Sequence, residues 1–166
     1  MRSISPMPMC PTRKNMTPEP VLVGWREWVA LPNFLTRPLR AKIDSGATTC
    51  ALHAFYVESF KQHDEPWVRF GLHPNLHTDQ VVHCEAPLLD YRSVRDSRGR
   101  AEERHVIATT LHIGHHEFIA EVTLTNREPL RYRMLIGRNA LRGRFLIDSA
   151  QSYVLGKPDR AIRSTR

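Results

Sequence analysis

Cysteine is scarce in this chain: Cys10, Cys50 and Cys84 are an odd set of three in 166 residues, with no CxxC spacing. Such a set builds no disulfide framework, and a reducing compartment is the default expectation. Long apolar runs are missing as well. The longest fall far short of the roughly 20 residues that a membrane span requires. The first twenty residues carry Pro6, Pro8, Pro11, Pro18 and Pro20 where a signal peptide would have an apolar stretch. A soluble cytoplasmic protein with no membrane partner is expected, with a disordered N-terminal arm over residues 1–20. There is no phosphate-binding GxxxxGK loop, so nothing calls for ATP. The helical HExxH zinc pattern fails too, because His116-Glu117 would need a histidine where Ala120 stands.

Nine histidines are nonetheless present. His112, His115 and His116 flank Gly114 and are expected on the surface. His73, His77, His83 and Cys84 form the better cluster, but their spacing matches no closed zinc motif. No metal and no cofactor is therefore expected. The net charge of +7 and pI near 9.8 are driven by arginine. The charge reads first as a solvated surface and second as a basic face for acidic peptides or proteins. Nucleic acid is not an expected partner: apart from Arg138, Arg142 and Arg144 the arginines are scattered, with no aromatic-interleaved RNA-binding motif.

At this length, with 41% hydrophobic and 25% charged residues, the chain is one domain able to bury about two-thirds of its unfolded surface. Val21 to Leu31 reads as a strand with a break at Gly24, and residues 37–43 as the next. Residues 51–61 are ambiguous between strand and short helix. Residues 67–72 alternate as a strand, and 81–94 suggest an irregular or edge strand because of Pro87. Asp96-Ser97-Arg98-Gly99 marks a hairpin turn, and Gly114-His115 marks a second one. A short helix is expected at residues 139–142, and residues 157–166 read as a basic tail. Many short strands with one short helix make the class mostly β, in a closed or partly closed barrel.

The chemistry-bearing stretch is Ala41-Lys42-Ile43-Asp44-Ser45-Gly46-Ala47-Thr48-Thr49. A strand with apolar Leu39, Ala41 and Ile43 runs into a carboxylate, a hydroxyl and a glycine. Such a turn lets backbone N–H groups hold a carboxylate ionised. Two facing copies share one proton and polarise a water. The chain has one well-formed copy, because Ile147-Asp148-Ser149-Ala150 lacks the glycine and leaves too few residues for a second lobe.

The stretch resembles the Asp-Thr/Ser-Gly-Ala signature of the aspartic proteases, in particular the single-lobed retropepsin-like proteases. Met134-Leu135-Ile136-Gly137-Arg138-Asn139-Ala140-Leu141, followed by Phe145-Leu146-Ile147, is similar to the segment and last strand that close such a lobe. The resemblance spans Val21 to Leu155, and its fuller pattern is that of the bacterial family named ATP-dependent zinc proteases. It implies a retropepsin-like domain over residues 21–156, with Asp44, Ser45 and Gly46 catalytic. In that reading Asp44 would activate water, Ser45 would lock the paired loops, and Gly46 would permit close approach. Ala47 and Thr48 would lie along the substrate cleft, and Ser97, Arg98 and Gly99 at the tip of a flap over it. Gly137, Arg138 and Asn139 would be structural. Thr48 stands where retroviral relatives place an acid for the arginine equivalent to Arg138, which leaves that arginine's partner open. The implied activity is that of a homodimeric aspartic endopeptidase acting on peptide or protein substrates, acidic ones if the flap arginines contribute. A dimeric peptide-binding module without cleavage is the alternative, and a zinc-dependent hydrolase a weaker one.

Overall fold

The computed structural model describes residues 19–73, 80–95, 99–126 and 131–158. The expectations for residues 1–18, for His77 and for 159–166 lie outside that range. The described elements are β1 (Val21–Gly24), β2 (Arg26–Ala30), β3 (Leu39–Asp44), β4 (Cys50–His53), β5 (Tyr56–Gln62), β6 (Glu65–Leu72) and β7 (Val82–Pro87). They continue with β8 (Asp90–Arg95), β9 (Ala101–Ile113), β10 (His116–Thr125), β11 (Met134–Gly137), α1 (Arg138–Leu141) and β12 (Phe145–Asp148). The mostly β class, the short helix and the Gly114-His115 turn between β9 and β10 agree with the sequence pattern, as does the pairing of β8 with β9, while residues 96–98 between those two strands lie outside the described residues.

Strand pairing runs β10–β4–β11–β3–β2–β9, and β9 pairs back to β10, so these strands close into a ring. β8 extends the ring as a hairpin with β9, in register from Asp90↔Val106 to Arg95↔Ala101. A separate antiparallel sheet, β5–β6–β7, stands beside it, and β1 pairs in parallel with β12. Alternation fixes what each strand buries. In β3, Leu39, Ala41 and Ile43 point into the core while Arg40 and Lys42 point out. Val29, Leu52, Phe70, Leu111, Ile113 and Ile136 meet in one apolar core, with Phe34 set edge-on against Phe70 at 5.2 Å.

Two local expectations are narrowed and a third is corrected. Residues 51–61 contain no helix: β4 and β5 are both strands, broken where Ala54 N donates to Thr125 O and Phe55 N to Gly71 O. Residues 81–94 are edge strand as expected, but divided in two: Pro87 ends β7 at the edge of the three-stranded sheet, and the chain restarts on β9 as β8 at the edge of the larger one. His112 is buried rather than exposed. It sits between β2 and β10, opposite Ala30 and Glu117 in register, where the sheet covers both sides of β9. His115 and His116 are exposed, as expected.

Candidate active site

β3 carries Asp44 to its end on a strand whose register is fixed by three buried apolar neighbours. There the side chain folds back on its own loop. Asp44 Oδ1 accepts from Gly46 N at 3.1 Å and from Ala47 N at 3.3 Å. The two amides hold the carboxylate in one orientation. Asp44 is half-buried, as is Ala47, while Ser45, Gly46 and Thr48 are exposed. One chain thus presents the acid at an open surface rather than in an enclosed pocket.

The second anchor comes from the closing segment. β11 lies parallel to β3 with Gly137 opposite Asp44, and antiparallel to β4 on its other side. At the start of α1, Arg138 N donates to Ala47 O at 2.7 Å and Asn139 N to Thr48 O at 3.0 Å. The Arg138 side chain then reaches over the same loop: Nη1 donates to Ser45 O at 2.7 Å and Nη2 to Thr48 Oγ1 at 3.2 Å. The partner of Arg138 is therefore a carbonyl and a hydroxyl, and Thr48 still engages the arginine, without a charge. Gly137 is required for this approach. A Cβ there would lie 2.4 Å from Thr49 C and 2.5 Å from Thr49 O, both fixed backbone.

The structure brings Asp44, Ser45, Gly46, Ala47 and Thr48 together with Gly137, Arg138 and Asn139. Of the expected flap residues, Ser97 and Arg98 lie outside the described residues. Gly99 follows them at φ +80°, a left-handed turn position suited to glycine, with open space where a Cβ would stand. Asp148 ends β12, where it accepts from Ala150 N at 2.9 Å and Gln151 Nε2 at 2.6 Å. Those donors, the glutamine first, hold its carboxyl below the usual range. It closes a turn of its own.

Two supporting residues escaped the sequence reading. Cys50 lies beneath the loop, its Sγ accepting from Gly137 N at 3.4 Å, and burial pushes its thiol up to about 11. Glu27 is fully buried; its Oε1 accepts from Gly24 N at 2.8 Å and Val154 N at 2.9 Å, its Oε2 from Leu155 N at 3.4 Å. An acid at an inward position of an alternating strand was the available signal. A cavity of about 240 Å³ between α1 and β10 is lined by Cys50, Ile119, Asn139 and Arg144 among others. It lies behind the loop scaffold, and Asp44 does not line it.

Among the described residues, no three His, Cys, Asp or Glu side chains converge in a metal site. His83 Nδ1 is 2.7 Å from Tyr56 Oη, His73 stacks on Phe55 at 4.4 Å between centroids, and Cys84 is buried.

The family model described as retropepsin-like aspartic endopeptidase RimB matches residues 22–158, which include the Asp44 loop and everything that holds it. The chain belongs to the RimB-like family. That description names an aspartic enzyme and carries neither zinc nor ATP. A probable alpha-L-glutamate ligase of Shewanella halifaxensis (strain HAW-EB4) is 38% identical over 143 residues, covering 86% of this chain and 31% of the ligase. A protein of the same name from Parasynechococcus marenigrum (strain WH8102) is 41% identical over 138 residues, 82% of this chain and 29% of that one. The chain thus spans under a third of the length of these curated relatives. A crystal structure of protein Lpg0085, of unknown function, from Legionella pneumophila superimposes with a TM-score of 0.66 at 23% identity. It covers 81% of this chain and 98% of its own, a likeness of fold.

Proposed function

We propose that this RimB-like chain is one half of a homodimeric aspartic endopeptidase that cleaves acidic, glutamate-rich peptides. The observation that carries the reading is the Asp44 carboxylate, fixed by two loop amides on a turn that Arg138 and Gly137 brace from behind. A dyad needs two such groups, and each chain supplies one. With the pair sharing a proton, the ionised carboxylate takes a proton from water as the oxygen attacks the peptide carbonyl. The protonated partner hydrogen-bonds the carbonyl oxygen as negative charge develops there. Breakdown returns a proton to the leaving amine. The exposure of Ser45 and Gly46 at the loop tip supports a role in meeting their counterparts on a second chain.

The substrate class rests on two supports. The chain has a net charge of +7. The relatives that contain a similar segment within a longer chain are named for joining α-linked glutamate. A domain carried beside such an activity fits work on the same kind of bond. The same relatives also favour a second reading, a dimeric module that holds a glutamate-rich peptide without cutting it.

Asp44→Asn separates the two. Incubation of the wild-type protein with α-linked oligoglutamate from pH 4 to 8, followed by mass spectrometry, should give shortened products, and the variant none. Wild-type protein that binds the peptide and leaves it intact throughout would establish the module instead.

A further inference from the structure

Arg26, Arg40 and Lys42 lie on one outward surface. β2 and β3 place Arg26 opposite Lys42 and Trp28 opposite Arg40 in register. Their neighbours Glu27, Val29, Leu39, Ala41 and Ile43 are buried, so these four side chains share the outer face, with Asp44 next in the same alternation. Lys42 is exposed and Arg40 half-exposed. Among the described residues none of the three cations has an ion-pair partner. Arg69, Arg92 and Arg104 elsewhere are each paired with an acid.

The face is also pre-organised. The Arg26 guanidinium lies 4.6 Å from the Trp25 ring centroid and 5.0 Å from that of Tyr153. Its Nε donates to Ser152 Oγ and its Nη1 to Tyr132 Oη, both at 3.0 Å. The second Nη1 hydrogen and both on Nη2 remain for an incoming acceptor. A planar cation fixed this way loses little freedom when a carboxylate docks.

We infer that Arg26, Arg40 and Lys42 form the recognition row for the acidic flank of the peptide whose scissile bond lies at Asp44. The inference rests on the endopeptidase reading for its direction, and its residues are separate from the catalytic loop. Charge complementarity and continuity with Asp44 along β3 select an acidic peptide. Single-stranded nucleic acid fits less well, because the aromatic surfaces it would stack on are engaged. Trp25 carries Arg26 and the edge of Tyr132, and Trp28 carries Lys157 at 4.7 Å and Tyr153 at 5.5 Å.

The test is fluorescence anisotropy with labelled α-linked hexaglutamate on full-length Asp44→Asn protein, which holds the peptide uncut. Adding Arg40→Gln and Lys42→Gln should raise Kd about tenfold, while the charge-preserving pair Arg40→Lys and Lys42→Arg keeps it within about twofold. Hexaglutamine should bind weakly to all three. Unchanged affinity in the neutralised protein, equal binding of hexaglutamine, or tighter binding of a hexameric RNA would each overturn the inference. Equal loss in the charge-preserving variant would overturn it too. Cleavage is scored separately on the wild type: binding without cleavage defeats only the endopeptidase reading.

Discussion

At the scale of single residues, the acid matters less than what aims it. Asp44 owes its orientation to the amides of Gly46 and Ala47, and the loop owes its position to the Arg138 fork on Ser45 O and Thr48 Oγ1. A lysine offers a single charged centre with no planar fork, so it cannot span both acceptors in that geometry. Arg138→Lys should lower kcat about tenfold on a glutamyl peptide while KM changes little, measured at several pH values. An equal change in KM, or a shift of the pH profile alone, would assign Arg138 a different role. The acid was legible from its strand, hydroxyl and glycine neighbours. The Arg138 partner was not, because a hydroxyl and a carbonyl replace the expected carboxylate and leave no charge pattern to read.

Cys50 and Cys84 make a second prediction at this scale. Burial pushes both thiols up to about 11, so they stay neutral in the folded chain well above the pH at which an unfolded thiol ionises. Their contribution to stability is complete below about pH 8.5 and is lost as pH rises toward the folded value. In a Cys10→Ser background at pH 8, a thiol-reactive chromophore should label neither residue until denaturant is added. Rapid labelling of the native protein would contradict the burial.

At the scale of elements, the parallel β11–β3 pair and the start of α1 act as one bracket for the loop. Gly137 makes it possible by letting Thr49 backbone pass at contact distance. A second bracket is Glu27, whose buried carboxylate collects the amides of Gly24, Val154 and Leu155 and so ties residues 154–155 to the β1–β2 bend. Glu27→Ala leaves those amides without an acceptor, and the chain should lose about 3 kcal/mol in urea unfolding, with the midpoint lowered and the slope unchanged. A change below about 1 kcal/mol would mean that water replaces the carboxylate. Strand alternation and the Asp96–Gly99 and Gly114-His115 turns made the hairpins readable in advance. Glu27, His112 and the split of residues 51–61 were not readable, because each depends on which distant strand covers it. An isolated sequence gives the inward face of a strand but not its neighbours.

For the whole molecule, the decisive property is that an open, half-buried Asp44 is offered once per chain. On the proposed reading, a second copy of the chain supplies the second carboxylate. Leu22 and Leu146, register partners on β1 and β12, are 44% and 58% exposed and are apolar surface suited to burial. Sedimentation over a concentration series should therefore give a mass of about 38 kDa, twice the 19.2 kDa chain, with Leu146→Glu shifting the population toward monomer. A wild-type monomer at every concentration, with and without peptide, would leave the dyad unbuilt.

The most direct measurement mixes wild-type and Asp44→Asn chains at constant total concentration, lets subunits exchange, and follows cleavage of α-linked oligoglutamate. If each active unit needs both Asp44 carboxylates, activity falls as the square of the wild-type fraction, to about a quarter in an equal mixture. A linear fall to about half would mean that one chain's Asp44 suffices, and the paired mechanism would be wrong.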